Sequence, residues 1–285
     1  MPIDPCDLIK SDSKLAILPS TFTRLTETIN DPRSSLSDIG SIISEDQSLT
    51  ALLLRLANSA YFALPGKVET ITHAVTVIGT QQLQDIVLAT SVMGMFKGIP
   101  ASLISMQEFW RHNLGCGVAG RIFATFRREA NTERFFVAGI LHDVGRLVMC
   151  LTLPDQFSRV LEFSRKENRL LYEAEQELLG FDHASIGGML LKEWKLPTML
   201  VDSTLFHHDP EGSRQFYEET SIVHVSDIIA HALELGSSGE HVVPPPKSSA
   251  WENVGLPLSV LPHVVTQTHR QFEAAAEIFC PAGSI

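Results

Sequence analysis

The chain of 285 residues is long enough to bury a hydrophobic core, and 44% apolar with 19% charged residues is a globular composition that excludes intrinsic disorder. Counting 22 Lys and Arg against 33 Asp and Glu gives a formal net charge of −11. A chain this acidic repels phosphate backbones and anionic lipids, so we expect neither general nucleic-acid binding nor membrane association.

The cysteines and the apolar segments indicate the cellular compartment. Four widely spaced cysteines include no CxxC pair, which is typical of free thiols in a reducing cytoplasm. Residues 1–10 have neither a basic head nor an apolar run, so we expect no signal peptide. The most apolar long segment, 135–153, contains Asp143 and Arg146, which favours a buried helix over a membrane span. We therefore expect a cytoplasmic protein.

Helical periodicity dominates the first 100 residues. Apolar side chains recur at spacings of three and four, and about five short helices are predicted before Pro100. Ser35, Asp46 and Thr70 stand where N-terminal helix caps are expected, and Gly79 is a natural stop. Strand-like alternation is nearly absent.

Longer helices are predicted after Pro100. Their approximate ranges are 104–128, 133–152, 155–167, 170–179, 183–194, 197–207 and 217–235. A Pro/Ser-rich stretch at 236–257 cannot be helical through its three consecutive prolines and is predicted as a loop, followed by a last helix at 258–279. The sequence thus predicts an all-α fold in which a small N-terminal helical bundle, 1–100, packs on a larger bundle, 101–285. Because no Pro/Gly/Ser-rich linker divides the two, we expect the N-terminal part not to fold alone.

The dipeptide His142-Asp143 is the first candidate for a functional site. It interrupts the apolar run AGILHDVGR, where an ionised carboxylate is costly unless it is paired or coordinated. Imidazole and carboxylate are both good ligands for divalent metals. The alternative is an aspartate satisfied by a neighbouring helix end or by an arginine.

Further candidate ligands lie on other predicted helices. They are His112, His183, His207, His208 and Asp227. Helices that each contribute a ligand to the centre of a bundle are a known way to build a metal site. Periodicity does not show that these helices converge, and each histidine taken singly is as compatible with a core or surface position. Asp227 could equally be a capping or solvent-facing residue.

The remaining histidines are predicted not to be ligands. They are His73, His231, His241, His263 and His269. His224, three residues before Asp227, shares a helix face with it and is a better candidate, whereas Cys116 is more consistent with a small buried thiol. No Walker loop, GxGxxG, HExxH or GxSxG motif is present, so nucleotide-binding, zincin and serine-hydrolase functions have no support.

Several segments together resemble the HDOD domain. They are LLLRLANSAYFALPGKVETITHAVTVIGTQQLQDIVLATSV, FWRHN, FVAGILHDVGRLVM, EAEQELLGFDHASIGGMLLKEWKLP, FHHDPEG and VHVSDIIA. Their order and spacing agree over roughly 14–235. HDOD proteins are similar to the HD-type metal-dependent phosphohydrolases, which include the HD-GYP cyclic-dinucleotide phosphodiesterases. The resemblance implies an all-α bacterial signalling or regulatory protein.

The resemblance also implies a ligand set. The positions that match the first metal of the HD superfamily are His112, His142, Asp143 and Asp227. A second metal, by similarity to HD-GYP enzymes, would take His183, His207 and His208, with Asp143 as the bridge. We therefore expect one or two divalent ions, for which Fe, Mn, Zn, Mg and Ni are all compatible.

Two departures from the HD-GYP enzymes argue against cyclic-dinucleotide hydrolysis. The GYP motif is absent after the His-His pair, where this chain reads HHDPEGSRQFYEE. Arg146 replaces the lysine that follows the HD pair; it could bind phosphate or form an ion pair between helices. The sequence thus favours a regulatory module that acts through contacts with signalling proteins. A metal-dependent phosphohydrolase acting on a nucleotide or another phosphoester is the alternative, and a redox di-iron protein fits the ligand types by analogy alone.

Overall fold

The computed structural model describes residues 4–11, 15, 17–59, 61–62 and 66–280. Within these ranges the chain is helical with no strand, as predicted. Ala60 and residues 63–65 of the segment that resembles the HDOD domain lie outside the described residues. The helices of the N-terminal part are α1 (Pro5–Ser11), α2 (Ser20–Asn30), α3 (Leu36–Ser44), α4 (Gln47–Ala57), α5 (Ile71–Ile78) and α6 (Thr80–Met95).

Side-chain caps fix where three of these short helices begin. The Ser35 hydroxyl accepts from the Asp38 amide at 3.3 Å, and the Asp38 carboxylate accepts from the Ser35 amide at 2.8 Å, which forms a capping box. The side chains of Asp46 and Thr70 cap α4 and α5 by accepting from backbone amides of the first turn, without the reciprocal bond. Gly79 has φ +99°, a backbone conformation that favours glycine, and the chain turns there directly from α5 into α6.

The C-terminal part contains longer helices around a central one, α7. They are α7 (Met106–Arg127), α8 (Glu133–Leu141), α9 (Val144–Thr152), α10 (Pro154–Glu167), α11 (Leu171–Leu179), α12 (His183–Glu193), α13 (Thr198–Leu205), α14 (Tyr217–Ala232), α15 (Ser248–Val254) and α16 (Leu261–Phe279). Short 3₁₀ turns occupy Pro210–Gly212 and Leu258–Val260. Helices α8, α14 and α16 all pack on α7, so α7 forms the axis of this bundle.

The single helix predicted at 133–152 is wrong, because two helices meet at His142-Asp143. Asp143 has φ −98° and ψ 5°, which is not helical. The ring nitrogen Nδ1 of His142 bonds to the Gly139 carbonyl at 2.7 Å, and a continuous helix would offer that carbonyl to the amide of residue 143. The segment Glu133–Thr152 is long and apolar enough to cross a membrane, but 89% of its most apolar window is buried, as in a core helix of a soluble protein.

The loop predicted at 236–257 is also corrected in part. The seven-residue helix α15 follows the three prolines, and its Ala250 and Val254 are buried against α14. All three prolines precede the first residue of α15, so none of them removes a backbone hydrogen bond from that helix. The predicted last helix starts later than expected, as α16 at Leu261, with Pro262 in its first turn.

The two parts of the chain share a hydrophobic core. Helix α6 packs on α8, α16 on α4, and α1 on α9 and α12. At the junction, the Tyr61 hydroxyl donates to the Glu133 carboxylate at 2.7 Å, and Arg121 Nε donates to the same carboxylate at 2.5 Å. The Arg121 guanidinium also lies 4.1 Å from the centre of the Tyr61 ring. The division near residue 100 stays a prediction.

Candidate metal centre

Five helical elements of the C-terminal part bring the seven predicted ligands to one place. Helix α7 contributes His112, the α8–α9 junction His142 and Asp143, the start of α12 His183, the end of α13 His207 and His208, and α14 Asp227. Six of the seven are buried, and His208 is half-buried. The structure therefore brings together every ligand that the resemblance implies, while ligation itself stays a prediction.

Asp143 lies between two groups of histidines. Its Oδ1 is 3.0 Å from His183 Nε2 and 3.7 Å from His207 Nε2. Its other oxygen, Oδ2, is 3.4 Å from His142 Nε2 and 3.9 Å from His112 Nε2. One carboxylate thus faces both groups, which is the position that a bridging ligand requires.

Within each of the two groups, the potential donor atoms lie close to one another. On one side, Asp227 Oδ1 lies 2.9 Å from His112 Nε2 and 3.5 Å from His142 Nε2. On the other, His183 Nε2 lies 3.3 Å from His207 Nε2 and 3.0 Å from His208 Nε2. Three imidazoles so close together have nitrogen lone pairs that a cation would satisfy.

The outer nitrogens of three histidines are fixed by acceptors. His142 Nδ1 donates to the Gly139 carbonyl at 2.7 Å, and His207 Nδ1 donates to the Thr204 carbonyl at 2.7 Å. His183 Nδ1 lies 2.6 Å from the Glu175 carboxylate and donates to it. A neutral imidazole that donates from Nδ1 carries its lone pair on Nε2, which here points into the centre.

Two buried atoms at the centre support a bound cation. His142 Nε2 has no hydrogen-bond partner among the described residues, and Asp143 Oδ1 has only the ring nitrogens of His183 and His207 beside it. An unsatisfied buried polar atom costs about 1–3 kcal/mol, and a cation between the two groups would remove that cost. The donor set of imidazoles and carboxylates fits a divalent metal, so the residues present are suited to the ion that the resemblance implies.

The ionisation states of three side chains also suit a cation. Burial alone would raise the pKa of Asp143, but Arg146 and His142 outweigh it and hold that pKa well below its usual range. The pKa of Asp227 is likewise low, since His231 and His112 outweigh burial. Burial lowers the pKa of His207, so its ring is neutral at neutral pH.

Two other histidines retain a proton when no cation is present. Burial would lower the pKa of His142, but the Asp143 charge raises it well above its usual range. Burial and Arg146 oppose protonation of His183, yet Glu175 and Asp143 raise its pKa to about 9. A metal that binds there must displace these protons, so we expect metal binding to weaken as pH falls.

Glu175 belongs to the site, and sequence reasoning missed it. Its carboxylate is fully buried and accepts from both the amide and the ring of His183, at 2.8 and 2.6 Å. The one available signal was its position on α11, where it shares the apolar face of Leu171 and Ala174.

The histidines outside the predicted set fall into two groups. His73, His263 and His269 are exposed, and His241 is half-exposed beside Glu240. His224 is buried, but its Nδ1 donates to the His207 carbonyl and its Nε2 accepts from the Lys247 amide, so no free lone pair remains.

His231, which sequence reasoning set aside, lies beside Asp227. Its Nε2 is 3.3 Å from Asp227 Oδ1, and its ring centre is 4.2 Å from that of His112. Asp227 is four residues earlier on α14, so the pair shares a helix face, and this spacing is visible in the sequence. Burial, reinforced by His112, lowers the pKa of His231 to about 3, which leaves the ring neutral.

Arg146 is buried beside the centre. Its Nη1 lies 3.1 Å from Asp143 Oδ2 and 3.2 Å from the Ser238 carbonyl, and it also bonds to the Ser238 hydroxyl. The segment 236–242, which we term the strap, is held in turn by Glu240, whose carboxylate accepts from the Leu171 amide at 2.7 Å. Arg146 Nε also lies 3.9 Å from Glu175 Oε1 on α11, which is a contact between helices, and a role of Arg146 in phosphate binding stays a prediction.

A close helix crossing sets the spacing between Asp143 and His183. A Cβ at Gly145 would lie 2.0 Å from the His183 carbonyl oxygen and 2.6 Å from the Gly187 amide. Because both neighbours are backbone atoms, only glycine allows α9 and α12 to approach this closely. The candidate ligands Asp143 and His183, at the starts of these two helices, are thereby held together.

The sequence model of the HDOD domain family matches residues 15–210. The chain belongs to the HDOD domain family. Among curated proteins, an uncharacterized protein of Treponema pallidum (strain Nichols) is 26% identical over 220 residues. That match spans 76% of this HDOD chain and 42% of the relative, so the chain spans less than half of that relative's length.

Solved structures share the fold. An HDOD domain protein of unknown function from Geobacter sulfurreducens superposes with a TM-score of 0.77 at 23% identity, covering 96% of both chains. A candidate phosphohydrolase from Shewanella amazonensis SB2B gives 0.75 at 24% identity, covering 95% of this chain and 97% of its own. A candidate signal transduction protein from Marinobacter aquaeolei VT8 gives 0.71 at 19% identity, covering 92% of this chain and 59% of its own.

Proposed function

We propose that this protein is a bacterial regulatory HDOD module that holds one or two divalent metal ions at the His/Asp centre and acts through contacts with signalling proteins. The observation that carries the metal is Asp143, whose two oxygens face two separate groups of histidine nitrogens. The Nε2 atoms of His142, His183 and His207 support the same proposal, because the bonds of each Nδ1 atom turn them toward the centre.

In this proposal, His112, His142, Asp143 and Asp227 hold one ion, and Asp143, His183, His207 and His208 hold the other. A bound divalent ion would supply positive charge and Lewis acidity at the centre. Glu175 orients His183, and the Gly139 and Thr204 carbonyls orient His142 and His207. These contacts keep the donors in place whether or not turnover occurs.

A regulatory role is favoured by the state of Arg146. A phosphohydrolase needs cationic side chains that are free to meet the phosphate. Arg146 is instead 1% exposed, paired with Asp143 and bonded to the strap residue Ser238. The name of the Marinobacter relative points in the same direction.

The second candidate is a metal-dependent phosphohydrolase acting on a nucleotide or another phosphoester. A carboxylate between two ligand groups is the arrangement that two-metal hydrolysis uses, and the Shewanella relative is named for such an activity. This activity would require the strap to leave Arg146.

Elemental analysis combined with a hydrolysis screen tests both proposals. The protein, purified without chelator and resupplied with Fe, Mn, Zn, Mg or Ni, is expected to retain at least about half an equivalent of metal. We expect turnover of cyclic dinucleotides, nucleotides and simple phosphodiesters to be slower than about 1 per second, the low end of ordinary enzymatic rates. Absence of metal after reconstitution would refute the metal centre, and faster turnover would favour the phosphohydrolase.

A further inference from the structure

The surroundings of Asp227 Oδ1 contain one more donor than the ligand set implied by the resemblance. Three imidazole nitrogens surround this oxygen: His112 Nε2 at 2.9 Å, His231 Nε2 at 3.3 Å and His142 Nε2 at 3.5 Å. Histidine and carboxylate donors bound to one ion at about 2.0–2.2 Å lie roughly 3–3.5 Å apart. The spacing around Asp227 is therefore that of donors sharing one ion.

Helix geometry accounts for the place of His231. It is one helical turn after Asp227 on α14, so both side chains project from the same face toward α7. Its side chain is 9% exposed, and its ring is tilted by 40° against that of His112 at 4.2 Å between centres. Donor atoms of His112, Asp227 and His231 all lie within 4.8 Å of one another.

We propose that His231 is an additional metal ligand on the side of the centre built by His112, His142 and Asp227. This inference rests on the proposed metal centre and concerns its coordination. With Asp143, this side of the centre would offer up to five protein donors. Such a set would leave little room for a further ligand there, whereas the side of half-buried His208 would stay more open.

Cobalt(II) is the probe, because its visible absorption reports the number and geometry of ligands. We expect the full-length wild type to bind Co²⁺ and His231→Ala to bind one ion about 10–100-fold more weakly, with altered visible bands. Added imidazole is expected to restore the wild-type bands, because the vacated position is close to the surface. A purely structural role for His231 would produce no such spectral rescue.

His224→Ala is the matched control. His224 is on the same helix and is also buried, but both of its ring nitrogens already have partners. We expect this variant to keep the wild-type cobalt bands and affinity. If His224→Ala changed them as His231→Ala does, the effect would be an indirect one on α14, and the assignment of His231 would be refuted.

His231→Leu supports the test if the alanine variant fails to fold, since leucine fills a similar volume and favours a helix. Wild-type cobalt affinity and bands in either folded His231 variant would overturn the assignment of His231 alone. If the wild type bound neither Co²⁺ nor any other divalent ion, the proposed metal centre would be refuted, and the assignment of His231 as a ligand would be refuted with it.

Discussion

At the residue scale, Asp143 is the proposed ligand whose substitution should have the largest effect. Its loss removes a donor from both histidine groups, whereas loss of His183 impairs one. In the wild type, metal at about 100 times its dissociation constant adds roughly 2.7 kcal/mol to the free energy of unfolding. We expect Asp143→Ala to lose this increment, measured as thermal melting with and without metal.

The control for this measurement is His269→Ala, which changes an exposed histidine on α16 and should keep the full metal-induced rise. An equal rise in Asp143→Ala would show that Asp143 is not a ligand. Without metal, the free energy of unfolding of Asp143→Ala should differ only modestly from that of the wild type. The cavity left by the carboxylate destabilises the variant, whereas removal of a buried charge stabilises it.

A second prediction at this scale concerns Asp85. Burial raises its pKa to about 6, although Asn131 donates to its carboxylate at 2.7 Å. A carboxyl with a raised pKa destabilises the folded state as pH rises from about 4 to 6 and stays unfavourable above that range. We expect Asp85→Asn to gain about 1–3 kcal/mol in the free energy of unfolding at pH 7 and little below pH 4. Denaturant unfolding at both pH values measures this; a gain independent of pH would contradict it.

At the element scale, the crossing of α9 and α12 has a direct test. In Gly145→Ala the added methyl meets the His183 carbonyl, and backbone cannot move aside as a side chain can. We expect a loss of about 3 kcal/mol in the free energy of unfolding, together with weaker metal binding because Asp143 and His183 separate.

Gly94→Ala is the matched control, since Gly94 is in α6 with nothing within 4 Å of the added methyl. This variant should gain about 0.5–1 kcal/mol from helix propensity. A Gly145→Ala protein with unchanged stability and metal affinity would show that the crossing does not position the ligands.

Helix positions were predictable where caps and apolar periodicity act locally. Ser35, Asp46 and Thr70 cap the helices that they were expected to cap. The break at Asp143 was not predictable, because apolar periodicity continues through it. Glu175 was missed because its contact with His183 depends on how α11 packs on α12, which periodicity does not give. The strap was missed because its bond to Arg146 joins residues 92 positions apart in the chain.

At the scale of the whole molecule, we expect one cooperative unfolding transition. The three tryptophans are all after residue 100, so their fluorescence reports on the C-terminal part, while far-UV circular dichroism reports on every helix. Trp194 Nε1 donates to the Leu15 carbonyl at 2.7 Å, and Tyr61 bonds to buried Glu133, so hydrogen bonds as well as a shared core join the two parts. The two signals should therefore change at the same denaturant concentration.

Tyr61→Phe tests the junction. Removal of the hydroxyl leaves part of the buried Glu133 carboxylate without its donor, which should cost about 1–3 kcal/mol and shift both signals together. Tyr217→Phe, at a residue 43% exposed, is the control and should have little effect. Two separate transitions in the wild type would show that the parts unfold independently.

The stacking of Tyr172 on His208, with ring centres 4.1 Å apart and planes 19° apart, has a kinetic consequence. Because His208 is the half-buried member of its group and Tyr172 covers its ring, we expect an ion held by His183, His207 and His208 to leave past this pair. Dissociation then waits for the two rings to separate, so the release rate should become independent of chelator concentration once chelator is in excess. Tyr172→Ala should release the ion faster at unchanged stoichiometry, and stopped-flow mixing with chelator measures that rate. A rate that keeps rising with chelator would instead place the ion in direct contact with solvent.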